Sequence, residues 1–132
     1  MSSADFPGVI PDHYVASESA MKKPDAMQKF VNAWYATLDW ITANHDDAVK
    51  IMADKAGVSL AEYEDFDKGT TLFDADKALD AFEDRAGDPT SLPEMARRIN
   101  PFLVESGLAK DEADLSGLFD SSFTKAYAEK SS

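Results

Sequence analysis

The stretch from Pro24 to Asn44 constrains the fold most, because its large apolar residues recur every three or four positions. This spacing places them on one stripe of an α-helix. The stripe consists of Met27, Phe30, Val31, Trp34, Leu38 and Ile41. Pro24 suits the first helical turn, and Asn44 is a good stop. The rest of the chain must help to cover this helix, which indicates a mainly α domain.

Capping residues and apolar spacing predict further helices along the chain. These are a brief helix from Glu18 to Lys23, one from His45 that ends at Gly57, one from Ser59 that ends at Gly69, one capped by Asp74, one from Ser91 that closes at Gly107, and a last one capped by Asp120. Pro101 removes one backbone donor from the Ser91 helix, so we expect a kink or split near Asn100.

The residues before the first helix are expected to be loop and strand. Pro7-Gly8 and Pro11 predict turns over residues 1–11, and the run Asp12 to Ala16 is typical of one short strand. The β-branched and aromatic run Thr70 to Phe73 is also expected to be extended. A lone strand near Tyr14 needs a neighbour for its backbone groups. We therefore expect a single partial domain over 1–132, with loop and strand over 1–16 and helices over 17–132.

Composition excludes several classes of function. The chain has 132 residues, of which 25 are acidic and 13 basic, and its net charge of -12 repels phosphate backbones. We therefore expect no nucleic-acid partner. Since cysteine is absent, disulfides, thiolate nucleophiles and zinc-thiolate sites are excluded. The sequence shows neither a signal peptide nor an apolar run approaching the roughly 20 residues of a membrane span.

The polar residues give no pattern for catalysis or metal binding. The Asp-x-Asp pairs at 65–67 and 74–76 resemble the start of a calcium loop, but the Gly and distal Glu of that loop do not follow. His13 and His45 have no further ligand at metal-binding spacing. No nucleophile elbow or glycine-rich phosphate loop is present. We therefore expect no enzyme activity, no metal site and no cofactor.

The aromatic residues of the central helix divide into two groups. Trp34 lies on the apolar stripe and is expected in the core, whereas Tyr35 and Trp40 lie off it. Exposed aromatic side chains beside an open strand edge favour association. We therefore expect Tyr35 and Trp40 to be available for a homodimer with Trp40 near its centre.

Three stretches together resemble one family. They are SSADFPGVIPDHYVAS at 2–17, KKPDAMQKFVNAWYATLDWITANHDDAVKIMADKAGVSLAEYED at 22–65 and INPFLVESGLAKDEADLSGLFDSSFTKAY at 99–127. Each is similar to a passage in the C-terminal portion of ABC-transporter substrate-binding proteins of the nitrate, sulfonate and taurine type. The match covers nearly the whole of this chain and well under half of a family member. His45 stands where the family commonly has Pro, and Pro101 interrupts a helix that is usually unbroken.

The resemblance implies the helical C-terminal part of a two-lobed periplasmic-binding-protein (type 2) fold. Such proteins hold a small-molecule solute between their lobes in the periplasm and deliver it to ABC permease subunits. Residues 62–82 and 90–93 look most like the branch near urea carboxylase genes, whose members are thought to carry urea-like or guanidinium-like solutes, which implies a small nitrogen compound rather than a sulfonate. The resemblance places Ser2, Ser3 and Asp5 where the chain returns toward the hinge, as candidate ligand-binding residues.

Two alternatives belong to other functional classes. A stand-alone helical module could bind a protein partner through the surface that a second lobe would cover, without binding a small molecule. The second alternative is an enzyme similar to the family's thiamine-pyrimidine branch. The absence of a catalytic set of residues in the sequence argues against it. Whether Met1 is a native start or a truncation boundary separates the solute-binding hypothesis from the stand-alone module.

Overall fold

A computed structural model describes residues 12–131, which form seven α-helices. They are α1 (Glu18–Met21), α2 (Pro24–Ala43), α3 (His45–Ala56), α4 (Leu60–Asp67), α5 (Ala75–Phe82), α6 (Leu92–Glu105) and α7 (Ser122–Ser131). The predicted mainly α class is confirmed. Within the range 12–131, none of the helices has the length and apolar character needed to span a membrane.

The described residues group into two compact units. The first comprises Tyr14–Asp74, and the second comprises residues 75–131 together with Asp12 and His13. The first unit therefore holds α1 to α4, and the second holds α5 to α7. The single partial domain expected from the sequence stays a prediction.

In the first unit, two helix junctions set the path of the chain. Asn44 alone separates α2 from α3, and its backbone N–H donates to the Trp40 carbonyl at 2.9 Å. At the other end of α3, Gly57 adopts φ +70°, a left-handed conformation that favours glycine. Ser59 and Glu62 then form the predicted capping box at the start of α4. α4 consequently folds back to pack on α3.

The buried face of α2 differs from the predicted stripe at Phe30, which is 44% exposed, and at Tyr35. Leu38 is buried as expected, but Tyr35, expected off the stripe, is also buried with only 6% of its surface exposed. Tyr35 lies four residues after Val31 and three before Leu38, so it shares their side of the helix. The prediction of an exposed Tyr35 is therefore wrong. Trp40 is exposed, at 45%.

In the second unit, α5 packs on both α6 and α7. Ser91 connects α6 to the segment before it, and its side chain is fully buried. Its hydroxyl donates to the Glu83 carbonyl at 2.8 Å and accepts from the Glu94 N–H at 3.4 Å. The predicted N-cap of α6 is confirmed, and this cap also fixes the end of the loop that follows α5.

The helix α6 continues through Pro101 to Glu105. We expected a kink or a split near Asn100, and the split is therefore wrong, whereas the kink stays a prediction. Proline removes a single N–H donor, and the helical bonds on either side of it are sufficient to hold one helix. Asn100, just before this proline, is buried and contacts the loop after α6.

The strand predicted near the N-terminus is also wrong. Residues 12–17 and 70–74 are irregular, and the described part of the chain contains no strand. A strand needs a neighbour to complete its hydrogen bonds, and the described residues provide none. Without a strand near Tyr14 there is no strand edge there to pair with another chain. The loop predicted over residues 1–11 lies outside the described residues.

Candidate functional site

The resemblance predicts three ligand-binding residues, which all lie outside the described residues. They are Ser2, Ser3 and Asp5. A site must therefore be sought in the geometry of 12–131. Two open clefts lie in the first unit, one at the junction of α2 and α3 and one between α3 and α4.

The second of these clefts, the His45 groove, has a volume of about 450 Å³. It lies between α3 and α4, and its lining residues are His45, Asp46, Val49, Lys50, Leu60, Glu64, Asp67 and Lys68. A neighbouring cleft of about 430 Å³ shares His45 and Lys50 and extends to Thr42 at the end of α2. Both are open to solvent, in contrast with the enclosed pockets that bury most of a small ligand.

His45 and Asp67 make the principal contact across the His45 groove. The Nε2 atom of His45, the first residue of α3, lies 2.9 Å from Oδ2 of Asp67, the last residue of α4. The His45 side chain is 56% exposed and that of Asp67 is 27% exposed. The pair joins the two helices at the end opposite to the Gly57 turn. The sequence prediction that His45 is a surface residue is confirmed.

The two lysines that line the groove also have partners. Lys50 Nζ lies 3.2 Å from Asp47 Oδ1, and Lys68 Nζ lies 2.8 Å from Asp65 Oδ1. The hydrogen bond from Lys68 lowers the pKa of Asp65, and the same bond raises the pKa of Lys68. These are exposed pairs of small energetic value, and they leave no concentration of one charge to attract an ion.

The chemistry available in the groove is limited. A histidine oriented by a carboxylate can act as a general base when a nucleophile lies within its reach. The hydroxyl of Thr42 in the neighbouring cleft already donates to the Leu38 carbonyl at 3.0 Å. Over residues 12–131, no cluster of three His, Cys, Asp or Glu side chains could hold a metal ion. The groove thus presents the imidazole of His45 and the carboxylate of Asp67 for polar contacts.

The second unit has a network of arginine contacts before and along α6. Arg85 contacts Asp80 and Asp88 through its guanidinium, with Nε 2.7 Å from Asp88 Oδ2. Arg97 contacts Asp84 and Glu94. Hydrogen bonds from Thr90 and then from Arg85 hold the pKa of Asp88 well below its ordinary value. Because both guanidinium groups are engaged by carboxylates, this network stabilises the loop after α5 rather than offering an anion site.

An aromatic cluster lies on α2 in the first unit. The ring of Tyr14 meets the rings of Phe30 and Trp34 edge to face, each at a centroid distance of 4.9 Å. Phe30 and Trp34 are four residues apart and therefore lie one turn apart on the same side of the helix. We call the space between their rings the aromatic notch. The sequence analysis placed both rings on the stripe but gave no sign that Tyr14 would cover them.

The sequence could not have identified the His45 groove. His45 and Asp67 are 22 residues apart, so their contact depends on how α4 folds back and not on local spacing. Tyr14 likewise reaches α2 from an irregular segment.

In comparisons with known proteins, no family model, curated protein or solved structure matches the chain.

Proposed function

We propose that the chain is the helical C-terminal part of a solute-binding protein that serves an ABC importer. Its solute would be a small nitrogen- or sulfur-containing molecule such as urea, guanidinium, nitrate or a sulfonate. This proposal rests on the resemblance of three stretches to that family, and the mainly helical structure of residues 12–131 is compatible with it.

The observation that carries the proposal is the layout of the longest resembling stretch, residues 22–65. Pro24 begins α2, Asn44 is the junction of α2 and α3, and Gly57 ends α3. Ser59 then caps α4 with Glu62. Four residues of this resembling stretch therefore stand at helix boundaries, which supports its use as a helical passage.

The open clefts of the first unit are also compatible with a partial solute site. Neither cleft encloses a small molecule, so we propose that the solute is held only when a further lobe closes over it. Ser2, Ser3 and Asp5 remain the proposed ligand-binding residues. The proposal includes a periplasmic location, contact with permease subunits and no enzyme activity.

Reading the gene upstream of the Met1 codon tests this proposal. We expect an in-frame sequence that encodes a signal peptide and an N-terminal lobe, with permease genes nearby. An in-frame stop codon directly upstream, preceded by no lobe, would overturn the proposal.

A helical module that binds a protein partner is the second candidate function. It is favoured by large exposed apolar side chains, among them Trp40 at 45%, Phe66 at 60% and Phe102 at 61%. Scattered apolar residues are normal on a protein surface, so this observation is weaker than the motif layout. The protein-binding module predicts an in-frame stop codon directly upstream, which is the result that would overturn the solute-binding proposal.

A further inference from the structure

The segment that carries Tyr14 is attached to the rest of the first unit in an unusual way. Residues 14–17 are irregular and lead into the short helix α1. Within the described range, no backbone hydrogen bond involves Tyr14, Val15 or Ala16, and Val15 is 92% exposed. The first backbone bonds of this region are made by Ser17, whose carbonyl accepts from Ala20 and Met21 inside the α1 turn. We call residues 14–17 the strap.

Tyr14 provides the contacts that fix the strap on α2. Its ring lies at interplanar angles of 83° to Phe30 and 76° to Trp34, both of them edge-to-face arrangements. This is the favoured geometry of aromatic pairs, because the positive edge of one ring meets the negative face of another. Phe30 is nevertheless 44% exposed and Tyr14 is 60% exposed, so the three rings form a surface cluster and not a core.

A segment held through one surface side chain can detach without disturbing the helices beneath it. The helix α1 also packs on α2, but it has only one turn and no buried residue, so it anchors the strap weakly. The helix α2 contributes the aromatic notch from its own length and retains Tyr35 and Leu38 in the core when Tyr14 leaves. Detachment is thus a local opening of the kind that precedes global unfolding.

We propose that the strap is a lid on α2, that Tyr14 is its latch, and that release of the latch uncovers the aromatic notch between Phe30 and Trp34. The occupant of the notch in the closed state is the Tyr14 ring of the same chain. The proposal is independent of the solute-binding proposal, because it concerns only contacts within residues 14–34.

Trp34 fluorescence tests the latch directly. The chain has two tryptophans, so the Trp40→Phe variant leaves Trp34 as the only reporter. In that background we expect Tyr14→Ala to shift the emission maximum to longer wavelength and to raise the acrylamide quenching constant about twofold, because the Trp34 ring loses its Tyr14 neighbour. Tyr14→Phe retains the ring and should match the parent. Val15→Ala changes an exposed neighbour and should also match it.

Limited proteolysis gives a second measurement. Lys22 follows α1, and trypsin can cleave after it, whereas the bond after Lys23 precedes Pro24 and resists cleavage. We expect Tyr14→Ala to accelerate cleavage after Lys22 several-fold, with unchanged far-ultraviolet circular dichroism of the intact chain, because the strap contains no helix.

Three results would overturn the proposal. Tyr14→Ala could match Val15→Ala in both measurements, which would show that Tyr14 does not cover Trp34. Tyr14→Phe could behave like Tyr14→Ala, which would show that the hydroxyl and not the ring holds the strap. A large loss of helical signal in Tyr14→Ala would show that Tyr14 is required for the fold and is not a releasable latch.

Discussion

Asn100 binds both backbone groups of Ala113 with its side-chain amide. Its Nδ2 donates to the Ala113 carbonyl and its Oδ1 accepts from the Ala113 N–H, each at 2.9 Å. Only 8% of Asn100 is exposed, whereas Ala113 is an exposed residue. The amide thus ties the irregular segment after α6 to the helix in the way that a neighbouring strand would tie a strand.

We predict that Asn100→Ala destabilises the second unit by about 2 kcal/mol, because it removes two hydrogen bonds that are each worth about 1 kcal/mol. Hydrogen exchange of the α6 amides measures this loss. Asn32→Ala is the matched control. It removes one hydrogen bond within α2, to Gln28, and alanine's helix propensity offsets that loss. Equal exchange rates in Asn100→Ala and the parent protein would show that the two hydrogen bonds to Ala113 contribute nothing to stability.

We predict that the stability of the second unit falls as the pH drops below about 4. The pKa values of Asp84, Asp88 and Glu94 are all lowered by hydrogen bonds in the folded chain. A carboxyl whose folded pKa is lowered binds protons more readily when unfolded. Its contribution is therefore present above the unfolded pKa and is lost as the pH falls through the folded one.

Hydrogen exchange of residues 75–131 at a series of pH values, corrected for the intrinsic rates, measures this dependence. Asp88→Asn should lower stability at pH 7 and flatten the loss toward low pH, because the variant has no carboxyl to titrate there. Asp111→Asn removes an exposed carboxyl of the same unit and should retain the full dependence. A parent protein as stable at pH 2 as at pH 7 would contradict the prediction.

A homodimer centred on Trp40 stays a prediction, although the structure contradicts two of the three expectations that supported it. Tyr35 is buried, and the segment around Tyr14 is not a strand. The exposed indole of Trp40 remains, and the net charge of -12 is screened beyond about 8 Å at physiological salt. Light scattering should give a mass above that of one chain, which Trp40→Ala lowers and Phe66→Ala leaves unchanged. A monomeric parent at working concentration would eliminate the dimer.

Much of the helical structure could be predicted because its signals are local. Pro24 and Asn44 mark the limits of α2 to within one residue, and Ser59 with Glu62 forms the capping box that its spacing predicted. Each of these signals acts within one or two helical turns, where the chain's own geometry determines which groups meet.

The errors occurred where distant contacts decide the structure. The β propensity of the Tyr14 segment was overridden because its ring packs on α2 and no neighbouring strand is described. The burial of Tyr35 depends on which side of α2 is covered. The contact of His45 with Asp67 depends on the return of α4 across α3. Spacing along the sequence contains none of this information.

Titration calorimetry of this chain with urea, guanidinium, nitrate and taurine is the most direct test of its proposed role as one part of a two-lobed binding protein. We predict no tight binding of any of them, because the clefts in the described residues are open and would leave most of a small solute hydrated. Binding at submicromolar concentration, on the order of -8 kcal/mol or better, would show that the chain forms a complete solute site by itself and would contradict this account.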